Sequence, residues 1–384
     1  MKRLTVTGTG VSVAIGAVVS YAVGVALGYR LLVVLAVAGV AMLAAAAVAV
    51  AIRPSVVLTR AVRPDRVTVG EPAEGRLDVR NKSRWPAPAF TAVDLVSSKE
   101  VPLKVRALAG RGRRAVHFPV WADRRGRLRL GPLTVERRDP AGLFAWRQRQ
   151  TGDGVLWVHP RVHPIPPLPV GIVLDYEGRT TDNARLGTVT FSSLREYVPG
   201  DDPRRIHWRS TARTGVLTVR EHVDTTEPST TVVLDAHPSA LDADAFEEAV
   251  EFAASVVRAV ERIGRPVTLH IMGERPADVV ATGATGSLDR LALAQPTNEA
   301  DLVGGLDRLS SGGALVVVTG KLEPAAMARL SEQRRRFSPV VLAMIDPASG
   351  NTGVRRRPGI GMLIARSAVE ATAAWHRMIN GDVG

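Results

Sequence analysis

The sequence predicts a membrane-anchored, multidomain protein with an N-terminal two-helix transmembrane hairpin, an all-β, sandwich-like domain and a C-terminal α/β domain. Three observations support this prediction. Two long uncharged apolar stretches lie near the N-terminus, at residues 5–28 and 31–52. Short alternating runs broken by Gly, Pro and Asn follow as far as residue 169, and from residue 230 apolar strand-length runs alternate with helix-length segments. The predicted boundaries are 1–53, 54–166, 167–229 and 230–384.

Both apolar stretches of the segment 1–53 are long enough to span a bilayer. At about 1.5 Å per residue, each covers the hydrocarbon core of about 30 Å. A cleavable signal peptide has a shorter apolar region, and a buried soluble hairpin does not need two runs of this length so close together. Gly24 and Gly28 have a small-xxx-small spacing that favours close packing of the two helices within the chain.

Basic residues around the two spans predict their orientation. Lys2 and Arg3 precede the first span, Arg53 and further arginines follow the second, and Arg30 is the charged residue between them. Positive flanks stay in the cytoplasm, so we expect both termini and all soluble domains on the cytoplasmic side of the cell membrane.

Charge is distributed unevenly along the chain, which contains no cysteine. Residues 53–166 carry 23 Lys or Arg against 10 Asp or Glu, whereas residues 167–384 carry 24 against 27. The missing cysteine excludes disulfides, thiolate metal sites and a cysteine nucleophile. The basic excess therefore belongs to the predicted β-domain.

Alternating runs predict a β-sandwich over residues 54–166, as at Arg66–Val69 and Ala115–Val120. Arginine clusters at 111–114 and 124–129 could bind anionic lipid or nucleic acid. We favour a solvated or lipid-facing surface over specific nucleic-acid binding, because the domain directly follows a membrane span and has no run of stacking aromatics. The proline-rich run Pro160–Pro169 predicts a stiff connector at the end of this domain.

The densest polar motif lies between Gly187 and Glu221. Asp202 followed by Pro203 predicts a helix start, and the helix is expected to run to Arg213 and stop before Gly215. Arg205, Arg209 and Arg213 would then form a cationic stripe. The stripe either clamps an acidic partner or forms an ion-pair network with nearby carboxylates. The candidate partner-binding residues of this motif are Arg195, Asp201, Asp202, Arg205, Trp208, Arg209 and Arg213.

His207 next to Trp208 suggests a catalytic residue at first sight. Neighbouring helix residues face different directions, and no serine is placed to form a convincing triad with His207. We therefore expect a packing or hydrogen-bonding role for this histidine.

The motif resembles the signature of the bacterial family called domain of unknown function 58. That pattern approximates F-x-x-L-R-x-Y-x-P-G-D-D-x-R-x-I-x-W-x-x-S-A-R, and Thr211 stands here where the family usually has Ser. The matching residues are Phe191, Leu194, Arg195, Tyr197, Pro199, Gly200, Asp201, Asp202, Arg204, Ile206, Trp208, Ala212 and Arg213.

The resemblance extends upstream into the β-domain through Gly131-Pro132, Asp139-Pro140 and Val158-His159-Pro160, and the two spans are typical of the family. It implies an association with a MoxR-type AAA+ ATPase and with transglutaminase-like membrane proteins. It does not imply a reaction.

Residues 230–384 predict a doubly wound α/β domain, in which ligands bind at the carboxyl ends of the strands. The order of its elements resembles a von Willebrand factor A domain. Such domains hold Mg²⁺ through a D-x-S-x-S loop, a threonine and a later aspartate. The corresponding positions here are Asp235, His237, Ser239, Thr297 and the Thr319-Gly320-Lys321 segment, and the first four are further candidate partner-binding residues. Because a histidine replaces one serine and the later aspartate is missing, we expect no metal and no cofactor.

These observations favour a non-enzymatic membrane-bound adaptor that presents its von Willebrand A-like domain to a MoxR-type AAA+ ATPase. The sequence contains no phosphate-binding G-x-x-x-x-G-K-[ST] loop and no H-E-x-x-H motif. Two alternatives stay open. One is a hydrolase using Asp235, His237 and Ser239, and the other is binding of anionic lipid or nucleic acid by the basic domain.

Overall fold

The computed structural model describes residues 2–52, 54–96, 99–150, 152–169, 193–198, 206–221, 229–275, 285–310, 312–350 and 352–381. Its contacts divide the chain into unit 1, Met1–His159, and unit 2, Pro160–Gly384. The predicted domain boundary near residue 167 therefore falls inside unit 2.

Unit 1 contains two long apolar helices near its N-terminus. Helix α1 spans Gly8–Ala26 and helix α2 spans Arg30–Ala51. Both are long and apolar enough to cross a membrane. Their large apolar side chains point outward, with Leu31 85% and Val18 68% exposed. Such a surface suits lipid rather than water, so the helices fit a membrane-anchored protein.

Small residues bring the two helices together. A Cβ on Gly24 would lie 2.9 Å from Val33 Cγ2, and one on Gly39 would lie 3.1 Å from Ala17 Cβ. Gly28 lies in the turn with a positive φ of 74° and has nothing near its missing Cβ. Gly24 therefore serves intrachain packing, as predicted, whereas Gly28 serves the turn.

A short strand before α1 ties the N-terminus to the β-domain. Strand β1 (Lys2–Val6) pairs antiparallel with β10 (Phe144–Gln150), which lies far beyond α2 in the chain. The predicted first span begins at Thr5, but Thr5 and Val6 belong to this strand, and Thr7 caps α1 by accepting from the Gly10 N–H. If the hairpin crosses a membrane, the N-terminus and the β-domain must lie on the same side.

Two sheets share one hydrophobic core in the rest of unit 1, as predicted for residues 54–166. One sheet has the order β2-β4-β7, and the other has the order β1-β10-β9-β5-β8-β11-β3 with β6 paired to β5. The remaining strands are β2 Val56–Arg63, β3 Arg66–Thr68, β4 Ala73–Asn81, β5 Phe90–Val96, β6 Lys99–Val105, β7 Arg113–Val120, β8 Gly126–Leu130, β9 Leu133–Arg138 and β11 Gly154–His159.

A buried ion pair crosses between the two sheets. Arg60 Nη1 on β2 lies 2.6 Å from Asp94 Oδ1 on β5, and their side chains are 4% and 0% exposed. Arg60 also donates to the carbonyl oxygens of Leu130 and Gly152. Burial raises the pKa of Asp94 and outweighs the opposing effect of Arg60. The pair therefore adds little net stability but requires both partners, because either charge alone would be buried without compensation.

Unit 2 contains a six-stranded sheet of order β15-β14-β16-β17-β19-β18, parallel except for the edge strand β18. Its strands are β14 Thr230–Leu234, β15 Val267–Ile271, β16 Ala314–Thr319, β17 Val340–Ile345, β18 Gly353–Arg357 and β19 Ile360–Ala365. Its helices are α4 Ala243–Arg262, α5 Ser287–Leu293, α6 Leu302–Asp307, α7 Pro324–Glu332 and α8 Ala368–Asn380, and a 3₁₀ turn at Gln333–Arg335 follows α7. The alternation of strands and helices confirms the α/β class predicted for residues 230–384.

The prediction of a stiff connector at Pro160–Pro169 is wrong. Ile165 and Leu168 are buried in the core of unit 2, and Trp375 Nε1 on α8 donates to the Pro166 oxygen at 2.8 Å. The His163 N–H donates to Ser255 Oγ on α4 at 2.9 Å. Apolar side chains between the prolines bind this segment to the α/β core, so it does not act as a free spacer.

Candidate functional site

The signature motif forms a small α/β element in unit 2. Strand β12 (Ser193–Glu196) pairs antiparallel with β13 (Thr218–Glu221), and the short helix α3 (Trp208–Thr214) lies between them in the chain. The Tyr197 N–H donates to the Leu217 oxygen at 2.8 Å, which continues the strand pairing. The two ends of the motif are therefore held side by side.

Helix α3 begins later than the sequence predicts. The His207 N–H donates to the Thr218 oxygen at 2.8 Å, so His207 pairs with the β13 side and cannot belong to a helix. His207 instead caps the helix, since its ring accepts from the Ser210 N–H. A single helix running from Asp202 to Arg213 is therefore interrupted at His207, and Asp202 and Pro203 themselves lie outside the described residues. The predicted stop is confirmed by a left-handed Gly215.

The late start also changes the predicted arginine stripe. Arg209 and Arg213 lie one helical turn apart on α3, and both are exposed. Of the three predicted stripe residues, only these two belong to the described helix. Arg205, Asp201 and Asp202 lie outside the described residues, as does the side chain of Arg195, whose backbone pairs with Val219 in β12–β13.

The same short helix carries an exposed tryptophan. Trp208 is 67% exposed, and nearby Val198, Val216 and Leu217 are 58%, 45% and 42% exposed. Within the part of the chain that the structure describes, neither Arg209 nor Arg213 forms an ion pair. We call Trp208, Arg209, Arg213, Val216 and Leu217 the α3 surface. Its combination of an aromatic ring, apolar side chains and free cations is typical of protein-binding surfaces.

His207 has the hydrogen-bonding role expected from the sequence. Its Nδ1 lies 2.7 Å from Ser210 Oγ, one turn into the helix it caps. Both groups belong to the local cap of α3, which accounts for their contact.

The second candidate site lies at the carboxyl end of the parallel sheet. Asp235 follows strand β14 and is 2% exposed. Its Oδ1 accepts from the backbone N–H of His237 at 3.0 Å, and its Oδ2 accepts from the hydroxyl of Thr319 at 2.7 Å. Both carboxylate oxygens are thus engaged by donors from the protein itself.

His237 and Ser239 lie in the loop after Asp235. His237 Nδ1 lies 2.7 Å from Ser239 Oγ, while the carboxylate of Asp235 contacts the backbone of His237 and not its ring. A catalytic triad requires the acid to orient the imidazole, and this geometry lacks that contact. The three residues are close together, but they are arranged as a hydrogen-bonded loop.

Thr297 contacts the loop after Asp235 through a backbone hydrogen bond. Its N–H donates to the Ala236 oxygen at 2.8 Å, and its hydroxyl accepts from the Glu299 N–H at 3.2 Å. Lys321 is exposed, and its N–H donates to the Ala240 oxygen at 2.9 Å. Among the described residues, no three His, Asp or Glu side chains converge at a point that could hold a metal ion.

Thr319 is the residue of this site to which the sequence assigned no role. It ends the apolar run of β16, directly beside Asp235 at the end of β14, because the two strands are neighbours in the sheet. A polar residue at the carboxyl end of a buried strand was the available signal.

A polar cavity of about 680 Å³ lies at the carboxyl end of the edge strand β15. His270, Arg275, Arg290, Asp301 and Glu274 contribute to its lining. Arg290 pairs with Glu274 across it. Burial lowers the pKa of His270, and the nearby Arg290 lowers it further, against a smaller raising effect of Glu274. Sequence patterns did not indicate this cavity.

Comparison with known proteins identifies one family. Residues 193–352 match the family model described as protein of unknown function DUF58, a range that runs from β12 to the residues just before β18. No curated protein matches the chain.

Solved structures show only distant similarity. The CARDB domain of a Pyrococcus furiosus protein, in complex with di-metal ions, shares 16% identity over 28% of this chain and 94% of that domain, with a TM-score of 0.22. A domain of a putative cell surface protein from Methanosarcina acetivorans shares 16% identity over 28% of this chain and 92% of that chain, with a TM-score of 0.19. A GH2 beta-galacturonidase from Eisenbergiella tayi shares 11% identity over 76% of this chain and 45% of its own, with a TM-score of 0.17.

Proposed function

We propose that the chain, whose residues 193–352 match the DUF58 family model, is a non-enzymatic membrane adaptor whose α/β domain engages a cytoplasmic MoxR-type AAA+ ATPase. In this proposal the hairpin α1–α2 spans the cell membrane with both termini in the cytoplasm. The flanking basic residues support that orientation. The family resemblance further suggests a transglutaminase-like membrane protein as a neighbour in the same assembly.

The observation that carries the proposal is the exposure of the α3 surface. Trp208 belongs to the family signature, yet it is 67% exposed. Covering a large exposed aromatic side chain with a partner removes apolar surface from water and is favourable. Trp and Arg also contribute much of the binding energy at many interfaces. Arg209 and Arg213 on the same short helix would favour a partner that also carries acidic groups.

The geometry of the Asp235 loop also supports a binding role. The two carboxylate oxygens of Asp235 accept hydrogen bonds from the Thr319 hydroxyl and the His237 N–H, so both already have donors within the domain. We propose that the C-terminal domain is von Willebrand A-like in architecture and recognises its partner through the α3 surface, without a bound ion.

A pull-down with the full-length protein tests this function. The tagged chain, purified in detergent, is mixed with cytoplasmic extract with and without ATP, and the bound proteins are identified by mass spectrometry. We expect an AAA+ ATPase of the MoxR type to be retained by the wild type and lost with Trp208→Ala.

Two matched variants serve as controls. Trp85 in unit 1 is also 67% exposed, so Trp85→Ala removes an equally exposed ring from a different surface. The second test variant is Arg209→Glu with Arg213→Glu, and its control is Arg335→Glu with Arg355→Glu. Both change the charge by the same amount, and all four arginine side chains are exposed. An ATPase that binds all variants equally, or binds none including the wild type, contradicts the proposal.

A further inference from the structure

We propose that unit 1 carries a binding site for the head group of an anionic phospholipid. The site is a basic cavity near the start of α1 and the end of α2. The cavity has a volume of about 670 Å³. Five basic residues (Lys104, Arg106, Arg137, Arg138 and Arg147) and two acidic residues (Glu100 and Glu136) line it, which gives these residues a net charge of +3.

Strand register gathers three of these side chains on one face of the larger sheet, whereas Arg137, between Glu136 and Arg138 on β9, alternates to the opposite face. Lys104 on β6 lies opposite Thr91 on β5, Thr91 lies opposite Glu136 on β9, and Glu136 lies opposite Arg147 on β10. Residues directly opposite each other in antiparallel strands point to the same face. Lys104, Glu136 and Arg147 therefore form one row.

Glu136 holds two of the guanidinium groups in place. Its Oε1 lies 2.8 Å from Arg138 Nε, and its Oε2 lies 3.1 Å from Arg147 Nη2. Glu136 is 8% exposed, whereas Arg138 and Arg147 are exposed. A guanidinium has five N–H donors, so each arginine keeps donors for a phosphate, which arginine binds through paired N–H groups. The buried carboxylate thus orients the two arginines toward an anion.

The position of the cavity indicates a lipid as the source of that anion. Thr7, the cap of α1, donates from its hydroxyl to the Gly142 oxygen at 2.6 Å, so α1 starts at the β9–β10 turn. Arg137 Nη1 donates to the oxygen of Ile52, the residue that follows α2. Both helix ends therefore meet the sheet at the end of the β9–β10 hairpin.

The distance from the membrane surface fits a head group. Arg147 lies three residues along β10 from Phe144, which pairs with Val6 next to the start of α1. At about 3.4 Å per residue, Arg147 is about 10 Å from that point. Head groups occupy the first ~5–7 Å beyond the hydrocarbon core, and long arginine side chains bridge the remainder. A nucleic acid would have to approach the same face against the membrane, and the cavity offers no exposed aromatic ring for base stacking.

Lipid titration of the full-length protein in detergent tests the site. Short-chain dihexanoyl phosphatidylglycerol and dihexanoyl phosphatidylcholine are compared by native mass spectrometry. We expect the anionic lipid to bind at least about ten-fold more tightly, and Lys104→Gln with Arg106→Gln to remove most of that preference, since each cation near a lipid surface contributes substantially. These two residues are exposed and the ion pairs of Glu136 are made with Arg138 and Arg147, so the substitutions remove neither partner of those pairs.

The control is Arg113→Gln with Arg114→Gln, which removes the same charge from β7 of the other sheet. The proposal is overturned if the control loses as much lipid preference as the cavity variant, or if the wild type does not distinguish the two lipids. Glycerol 3-phosphate and a single-stranded oligonucleotide are added as competitors. Tight binding of glycerol 3-phosphate would reassign the cavity to a free phosphate compound, and displacement of the lipid by the oligonucleotide would reassign it to nucleic acid.

Discussion

The hydroxyl of Thr319 donates a 2.7 Å hydrogen bond to Asp235 Oδ2 between the ends of two neighbouring parallel strands, β16 and β14. Both residues are buried, with exposed fractions of 0% and 2%. The Asp235 N–H also donates to the Val318 oxygen at 2.9 Å. Two strands that contribute polar groups to this edge of the sheet are thereby joined by a side-chain bond as well as by the strand pairing.

Thr319→Val is expected to lower the free energy of unfolding of unit 2 by about 1–3 kcal/mol, because a buried carboxylate oxygen loses its donor. Thermal unfolding of the full-length protein, with hydrogen exchange to assign the loss to unit 2, measures this effect. The control is Thr372→Val, whose hydroxyl bonds the Ala368 oxygen within helix α8. An equal loss in both variants would mean that the Asp235 contact has no special weight.

Separate replacement of Arg60 and Asp94 is expected to destabilise unit 1 strongly. Arg60→Met or Asp94→Leu leaves one charge buried without its partner, at a cost of about 3–5 kcal/mol each. The double variant should cost several kcal/mol less than the sum of the two single variants, since it leaves no uncompensated charge. Unfolding of the four proteins gives the coupling energy directly. Additive losses would show that the pair does not couple the two sheets.

Acidification is expected to destabilise unit 2 through His270. Its pKa is lowered in the folded state, whereas in the unfolded chain it titrates near ~6.5. As the pH falls below that value, the unfolded state takes up the proton first, so stability is present above about pH 6.5 and is lost as the pH falls toward the folded pKa.

The slope from this one residue is at most about 1.4 kcal/mol per pH unit. Melting curves of wild type and His270→Gln between pH 8 and 5 measure it, and the variant should show a shallower decline. Parallel curves for the two proteins would remove His270 as a cause.

Single-cysteine labelling is expected to show that the hairpin crosses the membrane. The chain contains no cysteine, so each introduced one is unique. Tyr29→Cys, in the turn between α1 and α2, should react with a membrane-impermeant maleimide added to intact spheroplasts. Lys82→Cys, on the exposed surface of unit 1, should react only after lysis.

Val40→Cys, within α2, is the control for a position inside the bilayer and should resist the reagent in both conditions. The reverse pattern for Tyr29→Cys and Lys82→Cys would place unit 1 outside the cell. Equal labelling of the two in intact spheroplasts would contradict a hairpin that crosses the membrane.

Local patterns predicted the element types well where one physical signal was strong. The uncharged stretches predicted α1 and α2 to within a few residues, and strand and helix alternation predicted the α/β class of residues 230–384. The interruption at His207 was not foreseen, because the bond from the His207 N–H goes to Thr218, a residue later in the chain. The Pro160–Pro169 run was misjudged for the same reason, since proline composition carries no information about the distant Trp375 that holds it.

The sequence by itself determined that the chain has two membrane-length apolar helices, a basic β-region and an α/β domain with the DUF58 signature, because composition, periodicity and motif spacing are local properties. Only the tertiary structure decided that Thr319 donates a hydrogen bond to Asp235 and that Trp208 is exposed. It also decided that Glu136 forms ion pairs with both Arg138 and Arg147. Each of these depends on which strands become neighbours, and strand order is set by the burial of the whole core rather than by any short segment.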